Sequence, residues 1–181
     1  MKRIIQFIVF AFLCPLCAVA QWPADVEVIG SKVNDSVYVK GDLSKGKTIE
    51  DLSWAWSSSN ACFVAPQSTK YRGNHVFYAT TMPPHSVMTI SVIPDDYTAN
   101  MSMYAYMMGG GDYYIVPDLP RCITCEADFK WDRNWKNRVQ THERSVEFSN
   151  PTSNTYNIVI GVSAPTETTT GTFQVKINTR S

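Results

Sequence analysis

Apolar and polar residues alternate with a period of two over much of this chain, the spacing of strands that bury one face. Phe173, Val175 and Ile177 fall on one side of such a row, and Thr172, Gln174 and Lys176 on the other. Tyr156, Ile158, Ile160 and Val162 alternate with Asn157, Val159 and Gly161. Met88, Ile90 and Val92 alternate with Thr89 and Ser91, and Val146 and Phe148 flank Glu147. In the run Met103 to Met107 both alternating sets are apolar or aromatic, so that strand is expected to be covered on both faces. Segments 26–29, 36–40 and 75–79 add further candidate strands.

Turn chemistry separates these runs. Gly30-Ser31, Asn34-Asp35-Ser36, Gly73-Asn74, Pro83-Pro84-His85, Pro94-Asp95-Asp96, Gly109-Gly110-Gly111-Asp112 and Ser149-Asn150-Pro151 each supply a positive φ, a fixed φ or a side chain that bonds its own backbone. The Thr-rich stretch from Ala164 to Gly171 reads as a hairpin loop. Short strands at this spacing predict an all-β fold, an antiparallel β-sandwich or jelly-roll-like domain. Two stretches depart from the pattern. Thr48 to Ser53 predicts a short helical turn with Thr48 as its cap and Asp51 three residues on. Residues 112–144, rich in Trp, Tyr, Pro and charge, predict an irregular insertion with one or two strands of its own, since ordinary connections are far shorter.

The N-terminus adds a destination. Lys2 and Arg3 precede an apolar run from Ile4 to Leu16, and Ala18-Val19-Ala20 closes it. This is the pattern of a secretory signal peptide, and the run falls short of the roughly 20 apolar residues a membrane-spanning helix needs. The expected organisation is a signal peptide over residues 1–20 and a single domain over 21–181, placed outside the cytoplasm: secreted, periplasmic or at the cell surface. The whole chain holds 16 basic and 16 acidic residues. Without Lys2 and Arg3 the balance is slightly acidic, and no basic stripe suggests a nucleic-acid partner.

Three cysteines lie beyond the signal segment: Cys62, Cys122 and Cys125. An oxidising compartment favours a cross-link, from Cys62 to either Cys122 or Cys125, with Cys125 preferred and the remaining thiol left over. The Cys122-x-x-Cys125 spacing lacks the βαβ context of a redox motif, and three cysteines with a distant histidine lack the spacing of a zinc finger.

The order of the strands resembles the bacterial pre-peptidase C-terminal domain. The residues that carry the likeness are Val39 to Leu43, Gly73 to Tyr78, Met88 to Ser91, the Met103-Tyr104 strand, Ser145 to Phe148, Tyr156 to Val162 and Gly171 to Ile177. The resemblance implies a β-sandwich with an accessory, non-catalytic role, which in some relatives binds calcium or an extracellular polymer. In this sequence no peptidase precedes the pattern. Asp42, Asp95, Asp96 and Asp112 sit in separate turns with no EF-hand or Gly-Asp repeat spacing, so no cofactor is expected and calcium has no motif behind it.

Catalytic chemistry has little to work with. The histidines are His75 at a strand start, His85 in a Pro-Pro turn and His142 in a charged stretch, and no Gly-x-Ser-x-Gly elbow occurs. The chain is therefore expected not to be an enzyme. Aromatic residues offer more, because an exposed ring gives large, rigid contact area with polar edges. Trp54 and Trp56 are expected in the core. Tyr113, Tyr114, Trp131 and Trp135, in the unpatterned segment, are the candidate binding residues, with Lys130 to Arg138 forming a basic cluster around the two tryptophans. The expected function is a binding or accessory domain that contacts an extracellular polymer (glycan or matrix protein) or an envelope component through these rings. The alternative is a structural or inhibitory partner of a separate secreted protease or hydrolase.

Overall fold

In the computed structural model, residues 21–134, 136 and 138–181 are described. The expected signal peptide, residues 1–20, and Trp135 lie outside them. Among the described residues ten strands form two packed sheets: β1 (Val26–Val28), β2 (Asp35–Asp42), β3 (Lys47–Thr48), β4 (Asn74–Met82), β5 (Ser86–Pro94), β6 (Ser102–Gly109), β7 (Thr124–Asp128), β8 (Arg144–Asn150), β9 (Tyr156–Ser163) and β10 (Thr172–Arg180). The larger sheet has the order β1-β4-β9-β6-β7, with β3 also paired to β4; the smaller has the order β2-β10-β5-β8. The strands pair antiparallel except β1, which runs parallel to β4. The fold is the all-β sandwich that the alternation predicts.

The alternating rows meet between the sheets. Met88, Ile90 and Val92 of β5 and Phe173, Val175 and Ile177 of β10 face Met103, Ala105 and Met107 of β6 and Ile158, Ile160 and Val162 of β9. Each of these side chains is buried, and burying such a residue stabilises the fold by about 1.5–3 kcal/mol.

The opposite face of the larger sheet carries a second apolar core. Tyr104, Tyr106 and Met108 of β6 and Val159 of β9 pack there against Leu52, Phe63, Tyr71 and Val116 from the irregular segments. Phe63 and Tyr71 stack with ring centroids 4.0 Å apart, and Trp54 lies 5.3 Å from Tyr104. Trp54 and Trp56 are thus part of this cover, as expected. Gly161 sits opposite Tyr104 across the β6–β9 pair, and a Cβ there would run into the Tyr104 ring. A glycine at this strand position lets the ring lie flat over the neighbouring backbone.

Two local expectations are corrected. The segment Ala164 to Gly171 is not a hairpin. It carries the chain from β9 in one sheet to β10 in the other, because both sides of β9 are already occupied, by β4 and β6. The helical turn begins later than expected, as a 3₁₀ turn at Ser53–Ala55. The Asp51 carboxylate accepts from the Ser53 amide at 2.8 Å and from its hydroxyl at 2.9 Å. Thr48 belongs instead to β3, its hydroxyl donating to Asn74 Oδ1 at 3.1 Å. An aspartate two residues ahead satisfies the first orphan amide locally and so fixes the start of the turn.

The insertion supplies one strand of its own, β7, and Cys125 on that strand is bonded to Cys62. The disulfide joins the outer cover to the edge of the sheet it covers. Cys122 is free and half-buried, with burial raising its thiol pKa.

His75 anchors a buried polar network beneath the same cover. Its Nε2–H donates to the Tyr71 carbonyl at 2.7 Å, which makes Nδ1 the acceptor for the Tyr104 hydroxyl at 2.9 Å. Ser163 Oγ donates to the same carbonyl at 3.2 Å. Burial lowers the His75 pKa to about 4, so the ring is neutral in the fold.

Two outcomes follow from this packing. Replacing Cys62 and Cys125 together by alanine is expected to lower stability by about 4 kcal/mol, from the chain entropy released over the 63-residue separation. Urea unfolding measures this, and a loss under about 1 kcal/mol would mean that the rings alone hold the cover. The second concerns acid. Below its ordinary pKa of 6.5 the unfolded imidazole takes a proton that the folded one refuses until about pH 4. The contribution of His75 is therefore complete above pH 6.5 and is lost as pH falls towards 4. Between pH 7.5 and 4.5 the native chain should lose roughly 2–3 kcal/mol more than His75→Gln; equal losses in paired unfolding curves would refute this origin.

Candidate functional site

The segment between β7 and β8 leaves the larger sheet at one edge and enters the smaller sheet at the adjoining edge. Gln140 shapes it. Its Nε2 donates to the Phe129 carbonyl at 2.9 Å and to Asp128 Oδ1 at 3.3 Å, while its Oε1 accepts from the Trp131 amide at 2.8 Å. One side chain thereby fixes where the Trp131 backbone stands. Lys70 pairs with Asp132 and ties the same segment to the 3₁₀ helix Ala65–Lys70.

A second wall comes from residues 95–101, between β5 and β6. The Asp96 carboxylate accepts from the Thr98 amide at 2.8 Å and the Thr98 hydroxyl at 2.7 Å, a compact turn of the kind aspartate favours. Tyr97 stands at its tip, 74% exposed, with its ring edge-on to His142 at 6.4 Å between centroids.

Arg144, the first residue of β8, ties the two walls together. Its side chain is 1% exposed. Nε donates to the Met101 carbonyl at 3.2 Å, Nη1 to the Glu143 carbonyl at 2.8 Å and Nη2 to the Thr141 carbonyl at 3.0 Å. Burial lowers the guanidinium pKa, and the nearby Asp128 charge opposes that shift. Asp128 is itself raised by burial, although Ser145 N–H donates to its Oδ2 at 2.9 Å and favours the charged form.

Between these walls lies an open cleft of about 300 Å³. Trp131, Tyr97 and His142 give it aromatic surface; Asn134, Gln140 and Thr141 give it amides and a hydroxyl; Lys130 stands at the rim and Arg144 in the floor.

Of the four aromatic residues singled out from the sequence, Trp131 and Tyr113 line separate clefts. Trp131 lines this cleft, beyond β7. Tyr113 is half-buried with its ring 5.4 Å from Trp22, in a separate cleft with Val26 and Val28 of β1. Strands β1 and β7 are opposite edges of the larger sheet, roughly 19 Å apart at ordinary strand spacing. Tyr114 is 44% exposed, and Trp135 lies outside the described residues. Tyr97, Gln140 and Arg144 were not singled out from the sequence. Tyr97 belongs to a turn far away along the chain, and no local signal marks an arginine as buried.

The histidines lead separate lives. Both ring nitrogens of His75 are engaged in the buried network. His85 occupies an exposed turn at φ 48°, and His142 packs on Tyr97. Among the described residues no histidine is hydrogen-bonded to a carboxylate, no group of three or more His, Cys, Asp or Glu is placed to hold a metal ion, and no helix is long and apolar enough to cross a membrane.

No protein-family model matches this chain, and no curated protein does. Solved structures do resemble it. The pre-peptidase C-terminal domain of a collagenase from Bacillus anthracis is 12% identical, with a TM-score of 0.40 over 87% of this chain and 99% of that one. PliG of Aeromonas hydrophila, a periplasmic lysozyme inhibitor of g-type lysozyme, is 10% identical, with a TM-score of 0.38 over 86% and 97%. CorA, a surface-associated copper-binding protein important in copper acquisition by Methylomicrobium album BG8, is 12% identical, with a TM-score of 0.43 over 85% and 98%. The first of these is a domain of the class that the order of strands in this sequence resembles.

Proposed function

We propose that this chain is a non-catalytic binding protein, working outside the cytoplasm, that grips an extracellular glycan in the cleft between residues 95–101 and 129–143. The observation that supports the reading is the pairing of aromatic surface, exposed Tyr97 and half-buried Trp131, with amide and hydroxyl side chains on walls held by one buried arginine. A sugar ring offers an apolar face and an equatorial rim of hydroxyls. An indole meets the first, and Gln140, Asn134 and Thr141 meet the second. Loops on a rigid sandwich are a common place for such recognition. The Cys62–Cys125 disulfide fits an oxidising compartment. Tyr113, at the other edge of the sheet, and exposed Tyr114 next to it in the chain would form a second contact point for a long polymer.

The test is a glycan and matrix-protein array probed with residues 21–181 and with a variant carrying Trp131→Ala and Tyr97→Ala. Retention on a glycan that falls at least about tenfold in the variant, with an unchanged unfolding curve, is the expected result. Retention only on matrix proteins, capture of a secreted hydrolase in its place, or equal retention of both forms would overturn the reading. Arg144→Met keeps the stem but leaves three carbonyls without their donor. It should cost about 3 kcal/mol of stability and weaken glycan retention through loss of cleft shape, which urea unfolding and the same array would show together.

A further inference from the structure

The cleft is one-sided in charge. Lys130 stands at its rim, Arg144 lies in its floor, and no Asp or Glu is among its described lining residues. The three backbone carbonyls that hold Arg144 use three of its five N–H groups and cancel none of its charge. Among the described residues neither Arg144 nor Lys130 forms an ion pair. Asp128, the carboxylate nearest in influence to Arg144, is turned to Gln140 and the Ser145 amide.

The other side of Trp131 has the opposite sign. Trp131, Gln140 and Thr141 also border a second cleft, of about 470 Å³, whose lining includes Glu126, Asp128, Glu143 and Glu147. Arg180 pairs with Glu147 at 2.8 Å; Glu126 and Glu143 have no cationic partner among the described residues. Trp131 is therefore the crest between a cationic hollow and an anionic one.

We infer that the ligand is a saccharide carrying an isolated acidic sugar, whose carboxylate meets Lys130 at the rim above the buried Arg144 charge while the neighbouring, uncharged or amino-bearing unit crosses Trp131 towards Glu126 and Glu143. This rests on the glycan reading above. A carboxylate at this rim gains a charge-assisted hydrogen bond from Lys130 and, across a short distance, the attraction of the buried Arg144 charge beneath it. A continuous polyanion would bring its next charge over the second hollow, where repulsion opposes it. The charge pattern thus selects against uniformly acidic polymers as well as for an acid.

Calorimetric titration of residues 21–181 tests this with defined probes: a glucose oligomer ending in a single glucuronic acid, the same oligomer with its carboxyl reduced to the alcohol, and polyglucuronate. The expected result is binding of the acid-ended oligomer about tenfold tighter than the reduced one, with most of that difference lost in Lys130→Gln. Per uronate unit, polyglucuronate should bind more weakly than the acid-ended oligomer and should gain affinity in a Glu126→Gln, Glu143→Gln double variant. Equal binding of the first two probes would overturn the inference and leave the glycan reading standing. Tighter binding of polyglucuronate would overturn the isolated-acid assignment, and binding of none would overturn both. The unfolding curve of each variant, matched to that of the native chain, ties these readings to the cleft.

Discussion

A strand buried on both faces needs a partner layer on each side, and β6 is such a strand: Met103, Ala105 and Met107 point one way, Tyr104, Tyr106 and Met108 the other, all buried. The smaller sheet covers the first set. The second set would expose a broad aromatic surface if left bare, and the irregular segments before β4 and after β6 exist in the fold as its cover. They hold few regular hydrogen bonds of their own, so they stay in place through stacked rings, the His75 network and the Cys62–Cys125 bond. The two-faced burial of one sheet thus explains why a large part of the described chain is neither strand nor surface loop.

The site inherits its position from that arrangement. Beyond the cover the chain must pass from the edge of the larger sheet to the edge of the smaller one, and residues 129–143 make the passage. Arg144, on entering β8, draws in carbonyls from this passage and from the β5–β6 connection. A long, always-charged side chain with several donors can join backbone segments that share no strand pairing. The result is a cleft with a fixed floor and aromatic side chains in its walls. The same residue type thereby serves two ends: Trp54, Trp56, Phe63 and Tyr71 hold the cover down, whereas exposed Tyr97 and half-buried Trp131 line the cleft.

Groups that would suggest reactivity in other settings are used up structurally. His75 is neutral because burial disfavours its charged form and because its two nitrogens have complementary partners. Cys122 is partly buried against the outer core, which holds its thiol in the protonated form. Both groups are held by packing, and the cleft is lined by rings, amides and charges.

Strand identity was legible in the sequence because side chains alternate across a strand, and burial of one face writes that alternation into the residues: β5, β9 and β10 fall where Met88 to Val92, Tyr156 to Val162 and Phe173 to Ile177 predict them. The double burial of β6 was legible for the same reason, and the composition of 112–144 marked it as something other than a loop. The partners of each strand were not legible, because pairing depends on which edges remain open; the segment Ala164 to Gly171 reads locally as a hairpin and becomes a crossover only once β4 and β6 have filled both sides of β9. Nor could the sequence show that Tyr113 and Trp131 lie at opposite edges of one sheet, or that Arg144 would sit beneath Trp131 and Tyr97. Local patterning fixes which residues a strand turns inward, whereas the company each side chain keeps is set by contacts between segments far apart in the chain, and these exist only in the folded protein.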